Sequence, residues 1–145
     1  VEHRLEECGT RKSLRCGNDS KATNVDSTLV ALATMPEDKS VLLVLGGRPK
    51  PGGFSGLRAA VQRRVKAVLT IGEAAARVEA DLQGAAHVFP CETLAQAVTV
   101  AFQLGQKGET LLLSPACASF DQFSDYEHRG RAFKELLEKL GGRPK

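Results

Sequence analysis

The first segment of this sequence with residue types suited to binding anions is Asn18–Asn24, Asn-Asp-Ser-Lys-Ala-Thr-Asn. An aspartate such as Asp19 can accept hydrogen bonds from the hydroxyl groups of a ribose, and a lysine such as Lys21 can pair with phosphate. Thr23, near the start of a predicted helix, can hold a carboxylate together with backbone N–H groups. The segment therefore indicates a ligand that carries sugar hydroxyls, phosphates or carboxylates.

A glycine-rich segment, Gly46–Gly53, follows the most apolar stretch of the chain. Its glycines allow the backbone to approach a ligand closely, and Lys50 supplies a positive charge for a carboxylate or a phosphate. The segment matches neither the G-x-G-x-x-G pattern nor the G-x-x-x-x-G-K-[ST] pattern of nucleotide-binding loops. On its own it therefore does not predict a loop that grips a nucleoside triphosphate.

The third polar segment, Ser114–Phe123, carries small residues followed by an aromatic one. Ser119 and neighbouring backbone N–H groups can bind an anionic group, while Phe120 and Tyr126 can form the wall of a small-molecule pocket. Cys117 has the chemistry of a nucleophile, but no histidine stands in a sequence arrangement that pairs it with this thiol. We therefore interpret Cys117 as a small packed residue.

Two of these segments also have a purely structural interpretation. The first can be a polar loop that caps its helix through Asn24 or Asp26, and composition alone favours this interpretation. The second can be a Gly/Pro-rich turn, which is an equally good interpretation of that segment taken alone.

Short apolar runs predict the sheet that must position these loops. Each run is bounded by Gly, Pro or polar residues, as strands commonly are. The runs are 41–45, 65–71, 87–89 and 110–113, with a weaker one at 13–16. Because their apolar character is continuous rather than alternating, both faces of the sheet are expected to be covered by helices.

Segments of helical period lie between these runs. The clearest starts with a capping box formed by Thr93 and Gln96 and ends before Gly105. Other helices are predicted at 29–35, 55–63 and 73–82, with a longer one from about 126 to a stop at 141–142. The alternation predicts an α/β fold: a Rossmann-like, mainly parallel sheet of about five or six strands with helices on both faces. Ligands of such sheets bind beyond the carboxyl ends of the strands, where the three polar segments lie.

The composition is that of one globular domain, 1–145, with 42% hydrophobic residues and a formal charge of +3. The 20 basic residues are spread along the chain, which argues against nucleic acid as a partner. No apolar run approaches a membrane span, and the first residues lack the apolar stretch of a secretory signal, so we expect a cytoplasmic protein. The four cysteines form no metal-ligand spacing and are expected to be reduced thiols, and no metal site is predicted.

Three motifs in order resemble the Mur ligase family, and the resemblance covers essentially the whole chain. Arg4, of a His-Arg pair, stands fifteen residues before Asp19 of the Asn-Asp-Ser-Lys-Ala-Thr-Asn motif. A Leu-Gly-Gly strand end is followed by Lys50. A Ser-Pro-Ala-Cys-Ala-Ser-x-Asp-Gln-Phe loop precedes an aromatic-Glu-x-Arg-Gly helix start at Tyr126. The last motif favours the branch of the family that adds D-glutamate.

The resemblance implies roles for individual residues. Arg4 is expected near the terminal phosphate of ATP and Asp19 near its ribose, with Lys21 supporting the same side. D-glutamate is expected to be held by Thr23, Lys50, Ser119, Phe120 and Tyr126. The sequence departs from the family pattern in one place, since Arg48-Pro49 precede the lysine where an acidic residue is usual.

The function implied by the resemblance is that of the C-terminal domain of a ligase. The full protein would use ATP and Mg²⁺ to add D-glutamate to UDP-N-acetylmuramoyl-L-alanine in peptidoglycan synthesis. Two preceding domains would bind the UDP-sugar, the Mg²⁺ and most of the ATP, so no complete set of catalytic residues is expected in this chain. The protein is expected to be a monomer, and this domain alone to be inactive. The alternatives are a sister ligase that adds another amino acid, or a non-catalytic module that binds a nucleotide or an amino acid.

Overall fold

A six-stranded sheet forms the centre of the computed structural model, which describes residues 1–145. The strand order is β1-β2-β6-β3-β4-β5. All neighbouring pairs are parallel except β1 and β2, which are antiparallel. The strands are β1 (Glu6–Arg11), β2 (Leu14–Asn18), β3 (Val41–Gly46), β4 (Val65–Ile71), β5 (His87–Glu92) and β6 (Thr110–Leu113). The prediction of a mainly parallel sheet of five or six strands is therefore confirmed.

Five α-helices connect and cover the strands. They are α1 (Val25–Ala33), α2 (Arg58–Arg64), α3 (Ala75–Leu82), α4 (Leu94–Leu104) and α5 (Tyr126–Gly141). Single 3₁₀ turns, Ser55–Leu57 and Gly72–Ala74, lead into α2 and α3. One half of the predicted capping box of α4 is present, because the Thr93 side chain accepts a hydrogen bond from the backbone N–H of Gln96 at 3.2 Å. The other half is absent, because the Thr93 N–H donates to the Cys91 carbonyl at 2.7 Å and not to the Gln96 side chain.

Helices cover both faces of the sheet, as the continuous apolar runs predict. β3 shows why, since all six of its residues are buried and alternate residues point to opposite faces. On one face, Leu43 and Leu45 pack with residues of α1, α2 and α3. On the other, Leu42 and Val44 pack with residues of α4 and α5. The two clusters hold the strands, and so the loops at their carboxyl ends, in fixed positions.

The elements differ from the predicted ones mainly at the polar edges. β1 was not predicted, because this edge strand is charged and partly exposed and has no apolar run. The first helix, predicted at 29–35, begins four residues earlier, at Val25. The first turn of α1 is polar, and its N-cap is Asn24, whose side chain accepts a hydrogen bond from the Ser27 N–H at 2.8 Å.

None of the helices combines the length and the apolar character that crossing a bilayer requires. The four cysteines are all free thiols, and three of them are buried.

Candidate functional site

Three loops meet at the carboxyl edge of three neighbouring strands, β2, β6 and β3. They are the three polar segments identified from the sequence. Backbone hydrogen bonds join them: Ala116 donates to the carbonyl of Ala22 at 2.9 Å, and Arg48 donates to the carbonyl of Ala118 at 2.9 Å. The third loop thus lies between the first and the second and contacts both.

One pocket, of about 270 Å³, brings together the residues predicted to face a nucleotide. Arg4, Asp19 and Lys21 all line it, and apolar atoms of α1 complete its wall. Two cations beside one carboxylate suit a ligand that carries both phosphate and hydroxyl groups. The pocket has the charge and polarity expected for one side of a nucleotide.

The short segment before β1 presents Arg4 to this pocket. His3 and Leu5 on either side of it have left-handed backbone conformations, with φ of 65° and 44°. The buried His3 ring lies 2.9 Å from the Asn18 side-chain nitrogen, and the His3 carbonyl accepts a hydrogen bond from the Lys21 N–H at 2.9 Å. Such strained backbone persists only where surrounding contacts fix it, so the backbone that carries Arg4 is held in place.

Asp19 has a structural role as well as a place in the pocket. It is only 5% exposed. Its Oδ1 accepts a hydrogen bond from the Leu5 N–H at 3.0 Å, and its Oδ2 accepts one from the Ser114 hydroxyl at 2.7 Å. Burial raises the pKa of Asp19 above its ordinary value of 3.8, although these two hydrogen bonds and the charge of Arg4 act in the opposite direction. Ionisation of Asp19 therefore costs more free energy in the folded chain than in the unfolded chain.

Replacing Asp19 by asparagine should make the stability of the fold depend less on pH between pH 3.8 and pH 7. Because the folded aspartate holds its proton more tightly than the unfolded one, its contribution to stability falls as the pH rises above 3.8. Asparagine does not titrate, but its NH₂ group cannot accept one of the two hydrogen bonds that Asp19 accepts. Relative to the parent, Asp19→Asn should therefore be least stable near pH 3.8 and should gain stability toward pH 7. Thermal unfolding across this pH range measures the difference, with Asp38→Asn, at an exposed position, as the control. A difference between Asp19→Asn and the parent that does not change with pH would contradict this expectation.

A second pocket contains one of the residues predicted to hold D-glutamate. Lys50 lines this pocket of about 310 Å³ together with Asn24, Phe54 and Ala116. Thr23 immediately precedes Asn24 in the sequence but does not line the pocket.

Ser119, Phe120 and Tyr126 also lie outside the Lys50 pocket. Ser119 is buried, with an exposed fraction of 2%, and Phe120 is 59% exposed next to it. Tyr126 lies on the nucleotide side, where the Lys21 ammonium is 6.0 Å from the centre of its ring. Of the five residues predicted to hold D-glutamate, only Lys50 therefore lines this pocket.

Arg129, which was not among the predicted site residues, contacts two of the loops. It is fully buried in α5. Its guanidinium donates to the Ser20 carbonyl at 2.7 Å, the Ser20 hydroxyl at 3.0 Å and the Cys117 carbonyl at 2.9 Å. Burial lowers its pKa only to about 10, so it stays charged at pH 7. One side chain therefore links the Asn18–Asn24 loop to the loop after β6.

The thiol of Cys117 is fully buried, and burial raises its pKa to about 12. A thiol protonated at neutral pH is a poor nucleophile, which agrees with its interpretation as a packed residue. The loop beyond it is held by side chains: Asp121 accepts a hydrogen bond from the Glu73 N–H at 2.9 Å, and the Gln122 side chain donates to the Glu92 carbonyl at 2.6 Å. These contacts fix Ser119 and Phe120 relative to the other loops.

Comparison with known proteins gives a consistent result. The family described as Mur ligase, glutamate ligase domain, matches residues 3–117. The UDP-N-acetylmuramoylalanine–D-glutamate ligase of Koribacter versatilis is 50% identical over 145 residues, covering 100% of this chain and 31% of that protein. The ligase of the same name from Elusimicrobium minutum is 46% identical over 140 residues, covering 97% of this chain and 31% of its own length. The chain therefore spans less than a third of the curated relatives it matches.

The fold is also that of a solved structure. A crystal structure of a domain described as coming from a UDP-N-acetylmuramate:L-alanyl-γ-D-glutamyl-meso-diaminopimelate ligase of Haemophilus ducreyi superposes with a TM-score of 0.59. The two are 18% identical, and the match covers 94% of this chain and 96% of the other. At that identity the likeness concerns the fold alone. Together with the family match over residues 3–117, these findings place the chain in the Mur ligase family, as a glutamate ligase domain.

Proposed function

We propose that this chain is the D-glutamate-binding domain of an ATP-dependent ligase that adds D-glutamate to UDP-N-acetylmuramoyl-L-alanine. The observation that carries the proposal is the pairing of two pockets at one sheet edge. One has Arg4, Asp19 and Lys21 on its wall, and the other has Lys50. The names of the relatives support the choice of D-glutamate and of the UDP-linked acceptor.

In the proposed reaction, the terminal phosphoryl group of ATP moves to the carboxylate of the UDP-linked substrate and ADP leaves. The amine of D-glutamate then attacks the acyl carbon, phosphate leaves, and the amine loses a proton as the amide bond forms. Lys50 would hold a carboxylate of D-glutamate, while Arg4 would face the developing negative charge on the phosphates. Because the proposed substrates are ATP and a UDP-linked precursor, we propose that the protein acts in the cytoplasm.

Mg²⁺ is proposed to be held mainly by parts of the protein beyond this chain. Asp19 is the only carboxylate on the wall of the Arg4 pocket, and each of its oxygens already accepts a hydrogen bond. One engaged carboxylate does not make a Mg²⁺ site, which normally adds further oxygen ligands and waters. Because the chain spans 31% of its relatives, the rest of the active site is assigned to the remaining length, and this chain alone is expected to be inactive.

Titration of the 145-residue chain tests the proposal. D-glutamate at about ten millimolar, above most enzyme KM values, should shift the NMR signals of the loops around residues 23, 50 and 119. L-glutamate should shift them less, since the proposed site is chiral and specific for the D form. A chain with Lys50→Ala should lose the response, whereas Lys107→Ala, at an exposed position of the loop before β6, should keep it.

Loops that do not respond to D-glutamate would refute the proposed site. A stronger response to L-glutamate or to another amino acid would instead favour a sister ligase of the same family. A non-catalytic binding module would bind D-glutamate equally well, so binding does not separate it from a ligase. Amide-bond formation by the full-length protein does, because a non-catalytic module would form no amide bond.

A further inference from the structure

The loop that carries Lys50 contains no acid that can hold the lysine in place. Residues 46–54 read Gly-Gly-Arg-Pro-Lys-Pro-Gly-Gly-Phe. The start of the loop is fixed, because Gly47 donates to the Ile71 carbonyl at 3.1 Å and Arg48 to the Ala118 carbonyl at 2.9 Å. The backbone N–H groups of residues 50, 52 and 53 make no hydrogen bond. The next fixed point of the backbone after Arg48 therefore lies at the far end of the loop.

That far end is held by an ion pair on α3. The Phe54 N–H donates to Oδ2 of Asp81 at 2.8 Å, and the same oxygen accepts a hydrogen bond from Nε of Arg77 at 3.0 Å. Gly53, at φ +66°, packs so closely against both side chains that a Cβ there would overlap them. Arg77 and Asp81, which we call the α3 clamp, thus grip the backbone three to four residues after Lys50.

The α3 clamp is itself rigidly placed. Val78 and Leu82 on the same helix are fully buried in the core that also contains Phe54. The helix therefore cannot shift without disturbing this core. The backbone of the loop is thus bonded on both sides of Lys50, at Arg48 and at Phe54.

We propose that Asp81, oriented by Arg77, is a positioning residue that sets the affinity for the amino-acid substrate through Lys50. This inference rests on the proposed function, since it assumes that Lys50 binds D-glutamate. A lysine held near its bound position loses less conformational freedom when the substrate binds. Releasing the clamp should weaken amino-acid binding and leave the nucleotide pocket, which lies on the other side of α1, unchanged.

The test is steady-state kinetics of a full-length ligase carrying this domain. Asp81→Ala should raise the KM for D-glutamate about tenfold, while kcat and the KM for ATP stay within about twofold of the parent. Asp81→Asn should have a smaller effect, because its amide oxygen can still accept the Phe54 N–H. Glu79→Ala, an exposed change on the same helix, should have none. Circular dichroism and thermal unfolding verify that each variant is folded.

A double-mutant cycle separates positioning from a merely structural effect. If Asp81 acts through Lys50, Asp81→Ala should raise the KM no further in a Lys50→Ala background. An equal increase in both backgrounds, or no increase in the parent, would overturn the inference while leaving Lys50 as a ligand. If Lys50→Ala itself leaves the KM for D-glutamate unchanged, the proposed function of the Lys50 pocket fails instead.

Discussion

Arg129→Met should unfold about 10 °C below the parent chain, which corresponds to a loss of about 3 kcal/mol. Methionine fills much of the same volume but donates no hydrogen bond. The Ser20 and Cys117 carbonyls, which now accept from the buried guanidinium, would lose this donor in a site that excludes water. The removal of a buried charge offsets part of this loss. The net effect should still be destabilising, because the Ser20 and Cys117 carbonyls stay buried without this donor.

Two further variants test whether the loss comes from these hydrogen bonds. Arg129→Lys keeps the positive charge but not the planar group that reaches both carbonyls, so its melting temperature should lie between those of the parent and Arg129→Met. Arg131→Met, an exposed change in the same helix, should leave the melting temperature within about 2 °C. An Arg129→Met chain as stable as the Arg131→Met chain would show that Arg129 does not join the two loops energetically.

The sheet and the order of its elements were predictable because the core strands have continuous apolar sequences. The run at 41–45 is apolar at every position, and only a strand covered on both faces buries such a run completely, as β3 is buried. β1 lacked any such signal, since it lies at the sheet edge and keeps charged side chains. The start of α1 was missed for a related reason: its first turn depends on the Asn24 cap and not on an apolar stripe.

The candidate site was predictable only to the level of the loops. Loops that follow parallel strands meet at one edge, so their sequences alone placed Asp19, Lys50 and Ser119 near one another. The side chains that fix those loops come from elsewhere. Arg129 reaches Ser20 across 109 positions of sequence, and Asp81 reaches Phe54 across 27. No local pattern encodes such contacts, which depend on how helices pack against the sheet.

Gly46→Ala should cost about 4 kcal/mol, a large part of the stability of a domain of this size. Gly46 ends β3 beside Ile71 of β4 and has φ +131°, a conformation that an L-residue rarely adopts. A Cβ at this position would overlap the Ile71 carbonyl oxygen and lie 2.9 Å from the Ile71 nitrogen. Because these are backbone atoms in the middle of the sheet, they cannot move aside without disturbing the β3–β4 pairing. The displaced strand end would also move the loop that carries Lys50.

Gly52→Ala provides the matched control in the same loop. Gly52 also has a positive φ, +97°, but no atom lies within 4 Å of the position that its Cβ would occupy. This change should therefore cost only the backbone strain, about 1 kcal/mol. Chemical denaturation measures the free energy of unfolding of both variants. The difference between them separates the cost of the contact with β4 from the cost of the left-handed backbone conformation. Equal losses for Gly46→Ala and Gly52→Ala would mean that φ alone, and not the contact with Ile71, requires glycine at the end of β3.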